Sequence, residues 1–212
     1  MDITLSDVTV RLPDHRTLFH IEHFVVQSGA RVLIQGPSGI GKTTFLHLIA
    51  GLFLPEKGSV ELGKVRVDLL TDRERSRLRR RSIGIIFQRL NLIDHLNALE
   101  NVVLPFRNVS DARGKAIRAL GRLNLGTSLN SRIATLSPGE QQRVAVARIL
   151  ASTPPLILAD EPTSSLDEVN AHAVLDALWE ASEGNTLVVV SHDRRIYERF
   201  SRPVEFTELI NA

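Results

Sequence analysis

The chain has 212 residues, with 26 basic against 24 acidic side chains and a formal net charge of +2. Apolar residues make up 43% and charged residues 24%, the balance of a chain that buries a core, which excludes disorder and fibrous repeats. The absence of cysteine removes disulfides, thiolate metal sites and cysteine nucleophiles together.

In chain order, Ile3, Leu5, Val8 and Val10 read as an opening strand whose alternation slips by one residue. Arg31–Gln35 is a short apolar run entering the glycine-rich turn Gly36-Pro37-Ser38-Gly39. Thr43–Ala50 reads as a helix stopped by Gly51, with Pro55 just beyond. Arg73, Arg75, Arg77, Arg79, Arg80 and Arg81, interleaved with Asp72 and Glu74, have the pattern of a solvated helix face. With so small a net charge, this cluster gives only weak support to a nucleic-acid partner, and none is expected. Ile83–Phe87, Leu156–Asp160 and Thr186–Ser191 are continuous apolar runs of the kind buried on both faces of a parallel sheet. Leu90–Phe106 and Asp111–Leu125 read as helices, as do Gly139–Ala151, Glu168–Ala181 and Asp193–Phe200. This alternation predicts one α/β domain over residues 1–212, its mostly parallel sheet interrupted by a helical insertion over about 89–152. No apolar run reaches the ~18–20 residues of a membrane span, and Met1-Asp2-Ile3-Thr4 lacks the basic start of a signal peptide.

Gly36-Pro37-Ser38-Gly39-Ile40-Gly41-Lys42-Thr43 matches G-x-x-x-x-G-K-[ST], with Thr44 following. The chemistry needs these residue types. Glycines let successive backbone N–H groups converge on phosphate oxygens, and the helix begun near Lys42 adds its positive end. Lys42 is placed to reach β- and γ-phosphates and the Thr43 hydroxyl to bind Mg²⁺. The pattern specifies a nucleoside triphosphate without separating kinase from GTPase or ATPase. Leu156-Ile157-Leu158-Ala159-Asp160-Glu161 is an apolar strand ending in two acids, at the strand end that faces the ligand crevice in such folds. Asp160 suits the Mg²⁺ shell, and Glu161 suits a general base acting on water. A small-molecule kinase has less use for that second acid.

Leu136-Ser137-Pro138-Gly139-Glu140-Gln141-Gln142 resembles the Leu-Ser-Gly-Gly-Gln signature of ABC-type ATPases. Three further segments resemble that family in order: Gln88 its Q-loop, Ser165-Leu166-Asp167 its D-loop, and His192 its switch histidine. The resemblance covers nearly the whole chain. It implies an α/β P-loop core with an N-terminal antiparallel β part and a helical subdomain, ATP and Mg²⁺ as cofactors, and ATP hydrolysis. It also implies a head-to-tail dimer, with a like or unlike second subunit, in which each ATP lies between Lys42 of one copy and Ser137 of the other. The implied roles are Glu161 as base, His192 on the γ-phosphate, and Gln88 sensing Mg²⁺ and the attacking water. The metal set is then Thr43, Gln88 and Asp160. The remaining partner is an integral membrane permease, which would hold the chain peripherally at the cytoplasmic face of the inner membrane.

Ser137 and Glu140 also form a capping box with Pro138 at the first helical position, so a well-capped helix and a phosphate site are compatible readings. Three departures stand out. The place of the family's adenine-stacking aromatic falls near Leu12, with Phe19 the nearest aromatic, which implies relaxed selectivity for ATP over GTP. Pro138 removes an N–H donor beside the phosphate, and Glu140 adds a negative charge there. Asn91-Leu92-Ile93 with Ala98-Leu99-Glu100-Asn101-Val102 is similar to the lipoprotein-releasing, macrolide-export and cell-division branch, although Asn97 and Glu100 also form a capping box. The competing class is a soluble ABC-type ATPase of DNA repair or translation. The interval from Gln88 to Ser137 is too short for the first, and a single ATPase unit argues against the second.

Overall fold

The computed structural model describes residues 1–164, 166–200 and 203–210. Its strands fall into two sheets. The first is antiparallel and holds β1 (Ile3–Arg11), β2 (Thr17–Val26), β4 (Lys57–Leu62) and β5 (Val65–Arg66), in the order β2-β1-β4-β5. The second holds β3 (Arg31–Gln35), β6 (Ile83–Ile86), β7 (Leu156–Asp160), β8 (Thr186–Val190) and β9 (Val204–Glu205). Its order is β6-β7-β8-β3-β9 and its pairs are parallel.

The slipped alternation in β1 has a local cause. Asp7 takes a left-handed φ of 51°, and β1 carries one residue more than β4 between Ser6 and Thr9, a β-bulge. Opposite it, Gly58 has φ +86°, and a Cβ there would come within 2.2 Å of the Asp7 carbonyl oxygen. Only glycine fits that approach.

The continuous apolar runs are explained by two cores. Ile157, Ala159, Leu187 and Val189 face one apolar cluster, while Leu156, Leu158, Val188 and Val190 face the other. Successive side chains of a strand point to opposite faces, so a strand between two cores must be apolar throughout. Around the sheets lie α1 (Lys42–Ile49), α2 (Asp72–Ser82), α3 (Ala98–Val103), α4 (Ala112–Arg122) and α5 (Pro138–Ser152). They are followed by α6 (Glu168–Ala181), α7 (Arg194–Tyr197) and α8 (Phe206–Leu209). Helices α3, α4 and α5 come between β6 and β7 in the chain and pack on one another in the first of these cores.

Three expected helices are shorter than their apolar spacing predicts; Asp111–Leu125 is helical only over Ala112–Arg122. Over Leu90–Phe106 only Ala98–Val103 is α-helical, continued by a 3-10 turn at Leu104–Phe106. Asn91 has a positive φ, and the buried Asn101 amide accepts from the Ile93 N–H and donates to the Ile93 and Asn97 carbonyls. Those bonds hold residues 93–97 as a loop. Over Asp193–Phe200 only Arg194–Tyr197 is helical, because the next bonds, from the Arg199 and Phe200 N–H groups, close tighter i to i+3 turns that bring Phe200 edge-on to Trp179.

Helix α2 buries no residue and starts with a Thr71–Glu74 capping box. Two of its arginines fold back on main-chain carbonyls, Arg75 on Leu70 at 2.6 Å and Arg79 on Gly51 at 2.7 Å. Among the described residues, no helix is long and apolar enough to cross a membrane.

Candidate functional site

The turn between β3 and α1 is shaped by its glycines. Gly41 caps α1 with φ 107°, and a Cβ there would meet the Phe19 ring at 2.9 Å. A side chain at this position would push the turn off the antiparallel sheet. Behind the turn, the Lys42 ammonium donates to the carbonyl oxygens of Gly36 and Pro37, both at 2.7 Å. Burial lowers the Lys42 pKa, while Glu161 and Asp160 pull it back up.

Strand β7 delivers the two acids. Asp160 is 3% exposed, and its Oδ2 has no partner among the described residues. Burial pushes its pKa up, the Thr43 hydroxyl pulls it down, and the Glu161 charge adds to the rise. Glu161 leaves the strand with φ 49°, a left-handed conformation costing a non-glycine residue about 1–3 kcal/mol. Its N–H still reaches the Val190 carbonyl on β8 at 2.9 Å. That turn aims the carboxylate at the loop after β8, where three donors meet it. Ser191 Oγ donates at 2.8 Å, the His192 N–H at 3.2 Å and His192 Nδ1 at 2.6 Å. The carboxylate is nearly buried, whereas the His192 imidazole is two-thirds exposed.

These groups share one cavity of about 390 Å³, at the carboxyl ends of the central parallel strands. Its walls include Ser38, Gly39, Gly41, Lys42, Thr43 and Thr44 from the turn, with Gln88, Asp160, Glu161 and His192. Gly36, Pro37 and Ile40 stand behind it and do not line it. A cavity of about 800 Å³ lies between the end of α2, β6 and the 3-10 turn, but its ionisable lining is arginine alone and it holds no phosphate-loop or acid-pair residue. Leu12 and Leu18 form an apolar wall of the 390 Å³ cavity, which has no Phe, Tyr or Trp among the described residues of its lining. Phe19 instead packs edge-on to Phe206 in the core, with ring centres 5.5 Å apart.

None of Ser137, Pro138, Gly139, Glu140 and Gln141 lines this cavity. They start α5 elsewhere on the molecule. The Ser137 hydroxyl and N–H both donate to Glu140 Oε2, at 2.8 and 2.9 Å, completing the expected capping box. These bonds hold the Glu140 carboxyl below its ordinary value. Gln141 donates to the Ile133 and Leu136 carbonyls. Of the expected D-loop, Ser165 lies outside the described residues, Leu166 is buried beside Gly139, and Asp167 caps α6 by accepting from the Asn170 N–H. Sequence reasoning missed Ser191 as a donor to Glu161, and Gln142, which ties α5 to the Pro162 carbonyl at 2.8 Å. The only signal was their adjacency to His192 and to the signature.

Residues 20–164 match the family described as ABC transporter. The chain belongs to the ABC transporter family. An uncharacterised ABC transporter ATP-binding protein of Mycobacterium tuberculosis is 42% identical over 187 residues, 86% of this chain and 57% of that protein. The chain thus spans little more than half the length of that relative. The lipoprotein-releasing system ATP-binding protein LolD of Legionella pneumophila is 43% identical over 183 residues, covering 84% of this chain and 81% of LolD. Among solved structures, the dimeric ATP-binding cassette MJ0796 bound to ADP and Pi aligns with a TM-score of 0.85 at 37% identity, over 92% of this chain and 89% of that one.

The oxygen donors Thr43, Gln88 and Asp160 fit a magnesium ion, and the unpartnered Asp160 Oδ2 is the atom such an ion would take up. Among the described residues no group of three or more His, Cys, Asp or Glu could hold a metal alone. The chain therefore offers a partial set, of the kind magnesium completes with phosphate and water.

Proposed function

We propose that the chain is the ATP-binding and ATP-hydrolysing subunit of an ABC transporter. The observation that carries this reading is the convergence of Lys42, Thr43, Gln88, Asp160, Glu161 and His192 on one cavity. Lys42 exchanges its two carbonyl bonds for bonds to the β- and γ-phosphates. Thr43, Gln88 and Asp160 hold Mg²⁺, which when bound supplies positive charge to the phosphate oxygens. Glu161 takes the proton of the attacking water. The His192 bond to Oε1 competes with that water for the carboxylate. A neutral His192 with its proton on Nδ1 cannot also donate from Nε2. Reaching the γ-phosphate therefore means releasing Glu161 or carrying a second proton. The apolar wall of Leu12 and Leu18 supports loose discrimination between ATP and GTP.

Ser137 and its neighbours stand outside the cavity, which supports a head-to-tail dimer in which they complete the site of a second copy. The dimeric state of MJ0796 supports the same arrangement. Residues about 89–152 form the helical insertion that meets a membrane permease, which holds the chain at the cytoplasmic face of the membrane. The likeness to LolD supports the branch that handles lipoprotein-type substrates.

The test is phosphate release from Mg·ATP by the purified chain and by Lys42→Ala. The expected result is steady release that falls by about 10²–10³-fold in the variant. Equal release from both, or none from the parent, overturns the reading.

A further inference from the structure

We propose that Arg195 is a positioning residue that ties the Glu161 segment to the His192 segment and, through Leu166, to the start of α5. Its guanidinium spends its donors on one small region. Nε reaches Asp193 Oδ1 and Oδ2 at 2.9 and 3.0 Å, and Nη2 reaches Asp193 Oδ2 at 2.6 Å. Nη2 also donates to the Thr163 carbonyl and Nη1 to the Leu166 carbonyl, both at 3.1 Å. The planar fork thus grips a carboxylate and two main-chain carbonyls at once.

The gripped carboxylate is itself part of a ring of bonds. Asp193 Oδ2 accepts from the Thr163 hydroxyl at 2.5 Å, and the Asp193 N–H donates to Ser191 Oγ at 3.0 Å. Ser191 in turn donates to Glu161. The acid and the histidine that touch at 2.6 Å are therefore bridged a second time, on the far side, by Thr163, Asp193 and Arg195. The Leu166 carbonyl extends the bridge. The Leu166 side chain packs over Gly139, where a Cβ would lie 3.3 Å from its Cδ2, next to Ser137.

Resting on the dimer reading above, this gives Arg195 a defined task. It couples the His192 side of one ATP site to the α5 start that serves the other. Arg195 carries no part of the apolar core, and its side chain is 27% exposed. Its removal leaves Asp193 bonded to the Thr163 hydroxyl and the Arg195 N–H. The Leu166 N–H to Thr163 carbonyl turn also persists, so the fold survives.

The test compares Arg195→Ala and Arg195→Lys with the parent, by steady-state ATP hydrolysis and by amide hydrogen exchange. In Arg195→Ala, kcat falls about 10- to 100-fold. KM for ATP stays within about twofold. Two coupled sites make hydrolysis by the parent rise cooperatively with ATP, and Arg195→Ala loses that cooperativity. Arg195→Lys recovers only part of kcat, because an ammonium cannot span the carboxylate and both carbonyls. Exchange at residues 163–164, 166–168 and 191–193 accelerates about tenfold in Arg195→Ala without nucleotide. Unchanged exchange overturns the tie, whether or not the chain hydrolyses ATP. Faster exchange with kcat and cooperativity intact overturns the positioning role. A parent without ATPase activity contradicts the proposed function, and the exchange result then decides the tie alone.

Discussion

Asp160 is held in a condition the apo protein does not favour. Burial raises its carboxyl, Glu161 adds a like charge, and Oδ2 has no partner among the described residues. A functional site stores instability of this kind for its ligand. Asp160→Asn removes the charge, so its Tm without nucleotide should rise by about 2–4 °C while hydrolysis falls by more than about 10²-fold. A thermal melt and a phosphate assay on the same sample check both. Asp193 is the opposite case. Burial alone would raise it, but the bonds from Arg195 and Thr163 outweigh burial and hold it below its ordinary value of 3.8. A carboxyl depressed by folding contributes stability that is whole above that value and is lost as pH falls through the lower folded value. Parent and Arg195→Ala, unfolded by denaturant across pH, should differ most above about pH 4 and converge toward about pH 2. A gap that widens on acidification contradicts this. Lys42, Asp160 and Glu161 were legible in the sequence because each sits at a fixed place in a short pattern with its own chemistry, whereas His192 came from the family resemblance. Arg195 was not legible, because its partners at 163 and 166 lie three decades of chain away and only the loop after β8 brings them near.

At the scale of elements, the start of α5 concentrates the departures from the family pattern. Glu140 accepts both Ser137 donors and is held charged by them. A negative charge there opposes a phosphate at a helix N-terminus. Glu140→Gln keeps the acceptor and drops the charge. The ATP concentration for half-maximal hydrolysis should fall about two- to fivefold, with a slightly lower melt because the helix start loses a favourable charge. A rise would show that the charge serves the site. Elements with a single strong period or cap were readable: α6 begins and ends where its spacing places it, and α5 within a residue. The failures have two causes. In Leu90–Phe106 and Asp193–Phe200 the apolar spacing is helical, but Asn101 and the tight turns after Tyr197 spend backbone groups on loops. Neither the side-chain competition at Asn101 nor the backbone turns after Tyr197 leaves a periodic trace.

For the whole molecule, the strand order β6-β7-β8-β3-β9 puts the Glu161 and His192 loops on neighbouring strands, and the phosphate turn on the next. Parallel runs buried on both faces announced that sheet, whereas β2 and β4 of the antiparallel sheet are half-exposed and weakly patterned. Their presence was expected from the family resemblance and not from periodicity. On the proposed reading, a site with Lys42, Glu161 and His192 in one copy and Ser137 outside it takes Ser137 from a second copy. Glu161→Gln keeps the shape and removes the proposed base. Light scattering behind size exclusion, with Mg·ATP and without it, tests this most directly, alongside phosphate release. The expected result is a stable dimer only with ATP, and turnover lower by about 10²–10⁴-fold. A variant that stays monomeric with ATP, or hydrolyses as fast as the parent, contradicts it.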